Sequence, residues 1–502
     1  AAQAPQEEQQ VQFKANQLEG TIIDDERCQK LTGDVHFVLE DMTIQADSAI
    51  YYEKRKLIEA QGKVKIVHKD GAVFWADHLL YNEETQLAQL RGQVVYQSDE
   101  HTFYTDNFDY NVDTQKGHFW GGIKFVEGDN TITSQSGYCD ANHKSVTFHK
   151  DVALINKDYQ LQCDTLYYNT VTKIARFRGH TIVTSKDGKS TLTTEEGGEY
   201  NTSSQQGTLK QSAIETQDYL LYADLIQADA EQENYTAMGN VGLVAKEDDL
   251  VIYGDYGAYQ KKAGIAQVYG NTLLEKILED DTLYVSADTL VAIENQETKD
   301  SKDAVVRAYH HVKIYKQDLQ GKADTMVYQG TDSTIHFEGE PVFWNYGNQL
   351  TADKAHILLK DKAFHEMHMN TNAFIISQED LGYFSQLKGR DMVAYFQNNK
   401  IDSITIDGNA ESLYFVVDQA QLKGMNHLRC GQMYITLQDD EIAKIVFQPQ
   451  PQGTFFPPHL IKEEDKKLSN FNWRAHERPT RREVIEHGYG TNQDYQPFKF
   501  GD

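Results

Sequence analysis

Residues 74–96 read FWADHLLYNEETQLAQLRGQVVY, with Asp77 followed four residues later by Tyr81 and fifteen residues later by Gly92. The same offsets recur at Asp47, Tyr51 and Gly62, at Asp106, Tyr110 and Gly121, and at Asp164, Tyr168 and Gly179. Asp224 with Gly239, Asp255 with Gly270 and Asp324 with Gly339 keep the fifteen-residue step, so seven pairs share it. Degenerate copies fill the gaps: Gln135 with Lys150, Glu196 with Gln211, and Asp288 with His310, the last stretched by the polar insertion QETKDSKD. A catalytic motif does not recur a dozen times along a chain. A step of 29 or 30 residues marks a building unit.

The residues around the glycine position identify the unit. Two before it stand Leu31, Ala60, Leu90, Phe119, Phe148 and Phe177, all apolar. Four after it stand Phe37, Ile66, Tyr96, Phe125, Leu154, Val183, Leu243, Leu274, Ile314 and Phe343. Apolar residues two apart, with lysines between them in KVKIVH and HVKIYK, have the period of a strand with one buried face. A glycine on that face has no side chain to pack and reads as a bulge, a bend or a close backbone approach. A second strand surrounds the Asp, and NEETQ, NVDTQKG and YQKKAG supply turns. Each unit is then two strands and two turns, and the ten residues four after the glycine are expected to line one continuous interior face.

Composition agrees with an all-β chain. The 29 Tyr and 22 Phe suit strands. Between Gln6 and Phe447 the only proline is Pro341, whereas six of the eight prolines follow from Pro449 on. Proline cannot donate to a ladder, so this distribution marks where sheet ends. The expected organisation is a flexible N-terminus over 1–10, one repeat body over 11–447 and a Pro- and Arg-containing extension over 448–502. About thirteen units at roughly 4.8 Å per strand would make the body elongated. If it bends or divides, the insertions near 292–304 and 360–390 are the places.

Several function classes fall away. A net charge of −28 lacks the basic stripe that neutralises phosphates, which argues against nucleic-acid binding. Near-equivalent Asp and Tyr copies offer no unique carboxylate pair for glycoside hydrolysis. No GGxGxD nonapeptide occurs, and one Asp per repeat does not make a calcium loop. The two histidines of HEMH at 365–368 read as surface residues, and no metal site, cofactor or catalytic residue is assigned. No apolar run approaches the length of a membrane-spanning helix. The beginning AAQAPQEEQQ looks like a mature product whose secretory signal has been removed, although a trimmed chain would look the same. Cys28, Cys139, Cys163 and Cys430 form no metal spacing; Cys139 and Cys163 could be bridged, or all four could be buried thiols.

ADHLLY with GQV, ADSAIY with GKV and ADTMVY with GEP together resemble the OstA-like family of lipopolysaccharide transport. That family includes the periplasmic bridge protein LptA and the N-terminal domain of the outer-membrane assembly protein. The resemblance covers residues 11–447. It implies an elongated, V-shaped β-jellyroll whose interior shelters lipid acyl chains in the periplasm. Its implied partners are lipopolysaccharide and the other transport proteins of the inner- and outer-membrane complexes. End-to-end self-association and attachment to the outer membrane stay open. The chain is longer than a simple bridge protein and carries an extra tail. Rival readings are a structural or adhesive β-rod zipped shut by large side chains, and a carbohydrate-active enzyme, for which 353–395 is the only irregular region to search.

The tail has its own chemistry. From Lys466 to Arg482 six basic residues face the single acid Glu477. PTRREVIEHG suits a short helix with Pro479 in its first turn. Phe471, Trp473, Arg474, Arg478, Arg481 and Arg482 would form an aromatic and basic surface for an acidic partner, or else would fold back on the acidic body.

Overall fold

The computed structural model describes residues 11–488, apart from 218, 230, 247–248, 279–280, 296, 298–302, 362, 398–399 and 439–440. The expected N-terminal segment 1–10 and the last part of the tail lie outside the described residues. Strands make up 73% of the structure. One α-helix is described, Arg481–Gly488, within the stretch where the tail sequence suggested one. The chain divides into two compact units, residues 1–217 with 227–231, and residues 218–226 with 232–502.

Within each unit successive strands pair antiparallel with their sequence neighbours. In unit 1 Met42–Tyr52 pairs with Leu57–His68, which pairs with Val73–Asn82, which pairs with Leu87–Gln97. Unit 2 repeats the pattern through Leu250–Gln260, Ile265–Ile277 and Thr282–Ile293. The long strands carry a register shift in their middle, and in alternate strands the glycine stands there, as between Gln61 and Val64 or between Arg91 and Val94, with the Asp at the shift of the strand between. Gly62 has φ +75° and Lys63 φ +46°, a left-handed pair that turns the strand through a corner. One half of the strand then belongs to one sheet and the other half to the facing sheet.

The corner corrects one detail of the periodicity. The glycine does not lie on the buried face: Leu31 and Val35 are buried, while Gly33 between them is only half-buried. It also explains the fifteen-residue step. A Cβ added to Gly62 would meet Asp47 Oδ2 at 2.7 Å, and one added to Gly92 would meet Asp77 Oδ2 at 2.5 Å. In six of the seven pairs the Asp is what such a Cβ would approach first; at Gly121 Asn107 Nδ2 comes nearer, at 2.9 Å, with Asp106 next. The degenerate copies keep the corner without glycine, with φ +63° at Lys150, +43° at Gln211 and +63° at His310.

Substitution at the corner therefore has a signed outcome. Gly62→Val combines a left-handed β-branched residue with a clash on Asp47 and should destabilise by about 1–3 kcal/mol. Lys150→Gly, which relieves a non-glycine left-handed residue, should gain about 1 kcal/mol. Urea midpoints of the two variants, moving in opposite directions, check this.

Candidate functional site

The inner faces of the two strand halves define the candidate site in each unit. In unit 1 register sets Phe37 opposite Ile44, Ile44 opposite Ile66, Ile66 opposite Phe74 and Phe74 opposite Tyr96. The row runs on through Phe103, Phe125, Ile132, Leu154 and Leu161 to Val183. In unit 2 it runs from Leu243 through Ile252, Leu274, Val285, Ile314 and Gly321 to Phe343. Of the ten positions named from sequence, Phe37, Ile66, Phe125, Leu154, Leu274, Ile314 and Phe343 are buried, and Tyr96, Val183 and Leu243 are half-buried. Each sits within one unit's row.

A second inner row lies on the other half of each strand, close to the corner. In unit 1 it includes Leu90, Phe108, Phe119, Gly137, Phe148 and Leu166 in register. In unit 2 it includes Met326, Phe337, Ala355, Met369, Met392, Ile406 and Met433. The facing rows touch. In unit 1 Phe74 and Phe108 have ring centroids 6.0 Å apart, and Phe125 and Phe148 5.7 Å apart. Side chains of the two rows thus meet across the interior at these points.

Sequence reading missed the rims. Four residues after the Asp, Tyr51, Tyr81, Tyr110 and Tyr168 project inward near one rim of unit 1, facing small partners such as Ala88, Gly117 and Ala175. Burial pushes the Tyr51 and Tyr81 hydroxyls up to about 12. Burial, and then the carboxylate of Glu127 beside it, raises Tyr168 as well. Lys173 stands in the turn after Tyr168, while Glu127 closes the opposite half at the end of Lys116–Glu127. Lys173 Nζ lies 3.0 Å from Glu127 Oε1 and Tyr168 hydrogen-bonds the same carboxylate, so the two rims of unit 1 meet there. The recurring Tyr was a visible signal; the pairing of residues 46 apart was not.

The structure folds the tail back on unit 2. Leu468 is buried among Phe374, Ile376, Leu413 and Phe415, with Phe471 and Trp473 packed against the same cluster. Buried Gln386 donates to Lys466 O and accepts from Leu468 N, and buried Gln349 donates to Asn472 O and accepts from Arg474 N. Arg474 pairs with Glu477, Arg478 donates to Gln320 Oε1 and Tyr346 O, and Arg481 lies over the Tyr284 ring. Arg482 pairs with Glu486 on the helix. Val484, fully buried, seats the helix against Tyr253 and Leu273. Phe471, Trp473, Arg474 and Arg478 thus take the fold-back arrangement instead of standing together as a free surface. All four cysteines are free thiols, so Cys139 and Cys163 are not bridged. Among the described residues no group of His, Cys, Asp and Glu is arranged to hold a metal, and no helix is long and apolar enough to cross a membrane.

Glu477 anchors the tail electrostatically. Hydrogen bonds from Arg474 and then Lys322 lower its carboxyl to about 2. A carboxyl depressed on folding contributes stability above its ordinary value of 4.5, and loses it as pH falls from there through about 2. The fluorescence difference between the wild type and Trp473→Phe, which isolates the emission of Trp473, should therefore shift to longer wavelength between those limits. Glu477→Gln should weaken docking at neutral pH and flatten the acid dependence.

Two family matches follow this division of the chain. Residues 8–164 match the family described as OstA-like protein, and residues 221–363 match that described as LptA/(LptD N-terminal domain) LPS transport protein. Each matched segment, under a third of this all-β chain, is thus of the OstA-like/LptA kind, and the second family is described as one of lipopolysaccharide transport. Among solved structures, LptH of Pseudomonas aeruginosa, described as the LptA homologous periplasmic component of the lipopolysaccharide transport device, is similar at 13% identity. The alignment covers 24% of this chain and 83% of that one, with a TM-score of 0.21. No curated protein matches the chain.

Proposed function

We propose that this chain is a periplasmic carrier of lipopolysaccharide that shelters lipid A acyl chains between the two halves of its strands. One observation carries the reading: in each unit two apolar rows face each other in continuous register. Exposing an acyl chain to water costs about 0.8 kcal/mol per CH₂, so an unsheltered crossing is prohibitive. Without cargo the same rows must cover each other, which accounts for the ring contacts across the interior. A cargo chain would replace those contacts with equally apolar ones at little net cost. The −28 protein repels an anionic headgroup, which therefore stays in water with its counter-ions. No bond is made or broken, and direction comes from partner transport proteins at the two membranes.

The packed interior also favours a second reading, a structural β-protein permanently zipped by its own side chains. Photo-crosslinking in cells separates the two. Probes at Phe125 and Ile314 on the inner rows should capture lipopolysaccharide, and probes at Lys65 and Lys313 on the outer faces should not. Capture from neither face supports the structural reading, and equal capture from both faces refutes the lining.

A further inference from the structure

Unit 2 contains a small, wholly apolar cavity between its strand halves, with Met326, Ile335 and Ile357 on one side and Ile314 and Phe343 on the other. Over it lie Leu319, in the turn that joins Val305–Tyr315 to Gln320–Gln329, and Phe364, at the opposite rim beginning Ala363–Gln378. Leu319 is 2% exposed. Lys316 begins the same turn and is equally buried, an unusual place for an ammonium at the mouth of an apolar space. Its Nζ lies 2.6 Å from Asp318 and 3.6 Å from Asp281, and 5.5 Å from the Phe364 ring centroid. Gln317 N donates to Asp281, which pins the turn to the neighbouring hairpin.

The turn is also tied to the tail. Buried Gln320 donates to Lys316 O and Gln317 O, and its Oε1 accepts from Arg478 Nε at 2.7 Å. Arg478 also donates to Tyr346 O, while Asn345 beside it donates to Asp318 O. One tail guanidinium thus fixes both segments that hold the turn. Burying an ammonium with the Asp318 carboxylate, and Asp281 half-buried beside them, is costly unless the geometry stays intact, so a turn released on one side loses the arrangement that shields its charges.

We infer that residues 316–319 are a lid over an acyl-chain site in unit 2, and that Arg478 of the tail holds the lid shut. The inference rests on the carrier reading and adds its control: the site takes the end of a single fatty acyl chain, and undocking of the tail admits it. Cargo access to unit 2 then responds to whatever displaces the tail.

Methionine methyl signals report on both units, since Met326 lines the cavity and Met42 lies buried in unit 1. The probe is stearic acid carrying a nitroxide near its methyl end, titrated into the full chain with ¹³C-methyl methionine. In Arg478→Ala, and in a chain ending at residue 477, Met326 should broaden at tenfold or more lower probe concentration than in the wild type, with Met42 unchanged. A half-broadening concentration at Met326 equal in wild type and both variants overturns the gate. Broadening of Met42 alone in every protein removes the unit 2 site and leaves the carrier reading standing. Broadening of neither removes both. Matching circular dichroism of Arg478→Ala and wild type keeps a folding defect from imitating the expected result.

Discussion

Bridging residues 127 and 173 across the rims of unit 1 is expected to reduce lipid capture from Phe125 to background. In the native protein the joint is an ion pair, Lys173 with Glu127, supported by Tyr168. A part-exposed pair of this kind is worth about 0–1 kcal/mol, so thermal motion parts it readily. After Glu127→Cys and Lys173→Cys, a short bis-methanethiosulfonate makes the joint covalent, and the two inner rows can no longer separate to admit a chain. Dithiothreitol should restore capture. Cys139 and Cys163, the native thiols nearest in the chain, should not interfere, because burial pushes them up to about 12 and little thiolate is present there. Undiminished capture in the bridged protein would mean that chains do not enter between these rims.

Removing residues 457–502 should lower the unfolding temperature of unit 2 by about 10 °C or more. Leu468 and Val484 are fully buried by the fold-back and Phe471 and Trp473 partly so. Burying a large apolar side chain stabilises by about 1.5–3 kcal/mol, and each kcal/mol shifts the midpoint of a domain this size by about 2–4 °C. The β-spectrum should survive, because among the described residues no strand before 457 pairs with the tail. The outer face around Phe374, Ile376, Leu413 and Phe415 would be uncovered, so the truncated chain should elute as self-associated species. An unchanged midpoint and a monomeric elution would show that the tail contributes nothing to unit 2.

Local order was legible in the sequence because it is local. The fifteen-residue step from Asp47 to Gly62 is a contact between adjacent strands, and the alternation through Val64 and Ile66 is the pleat itself. Both are written within one hairpin. The corner was only half visible: glycine signalled a special backbone, but strict period two placed it on the wrong face, since a two-residue left-handed turn adds a residue to the count. The tail seat was not visible at all. Gln349 and Gln386 carry no local signal, because their partners lie 80 to 125 residues away. Lys316 likewise looked like one more alternating lysine, until the turn carried it over Phe364.

Because every Asp–Gly contact joins one strand to the next and to nothing further, the repeat works as a counting device. Its step of 29 or 30 residues returns the chain to the same corner, on the same face, with the same neighbour to meet. Gain or loss of one whole step would change the number of strands by two, about 9–10 Å of ladder, and leave no backbone group without a partner. Gain or loss of an odd number of residues within a strand would turn an inner row outward, whereas extra residues between strands leave the rows in place, as QETKDSKD between Thr282–Ile293 and Val305–Tyr315 does. Length within each unit is therefore available to evolution in discrete increments, without redesign of a single contact.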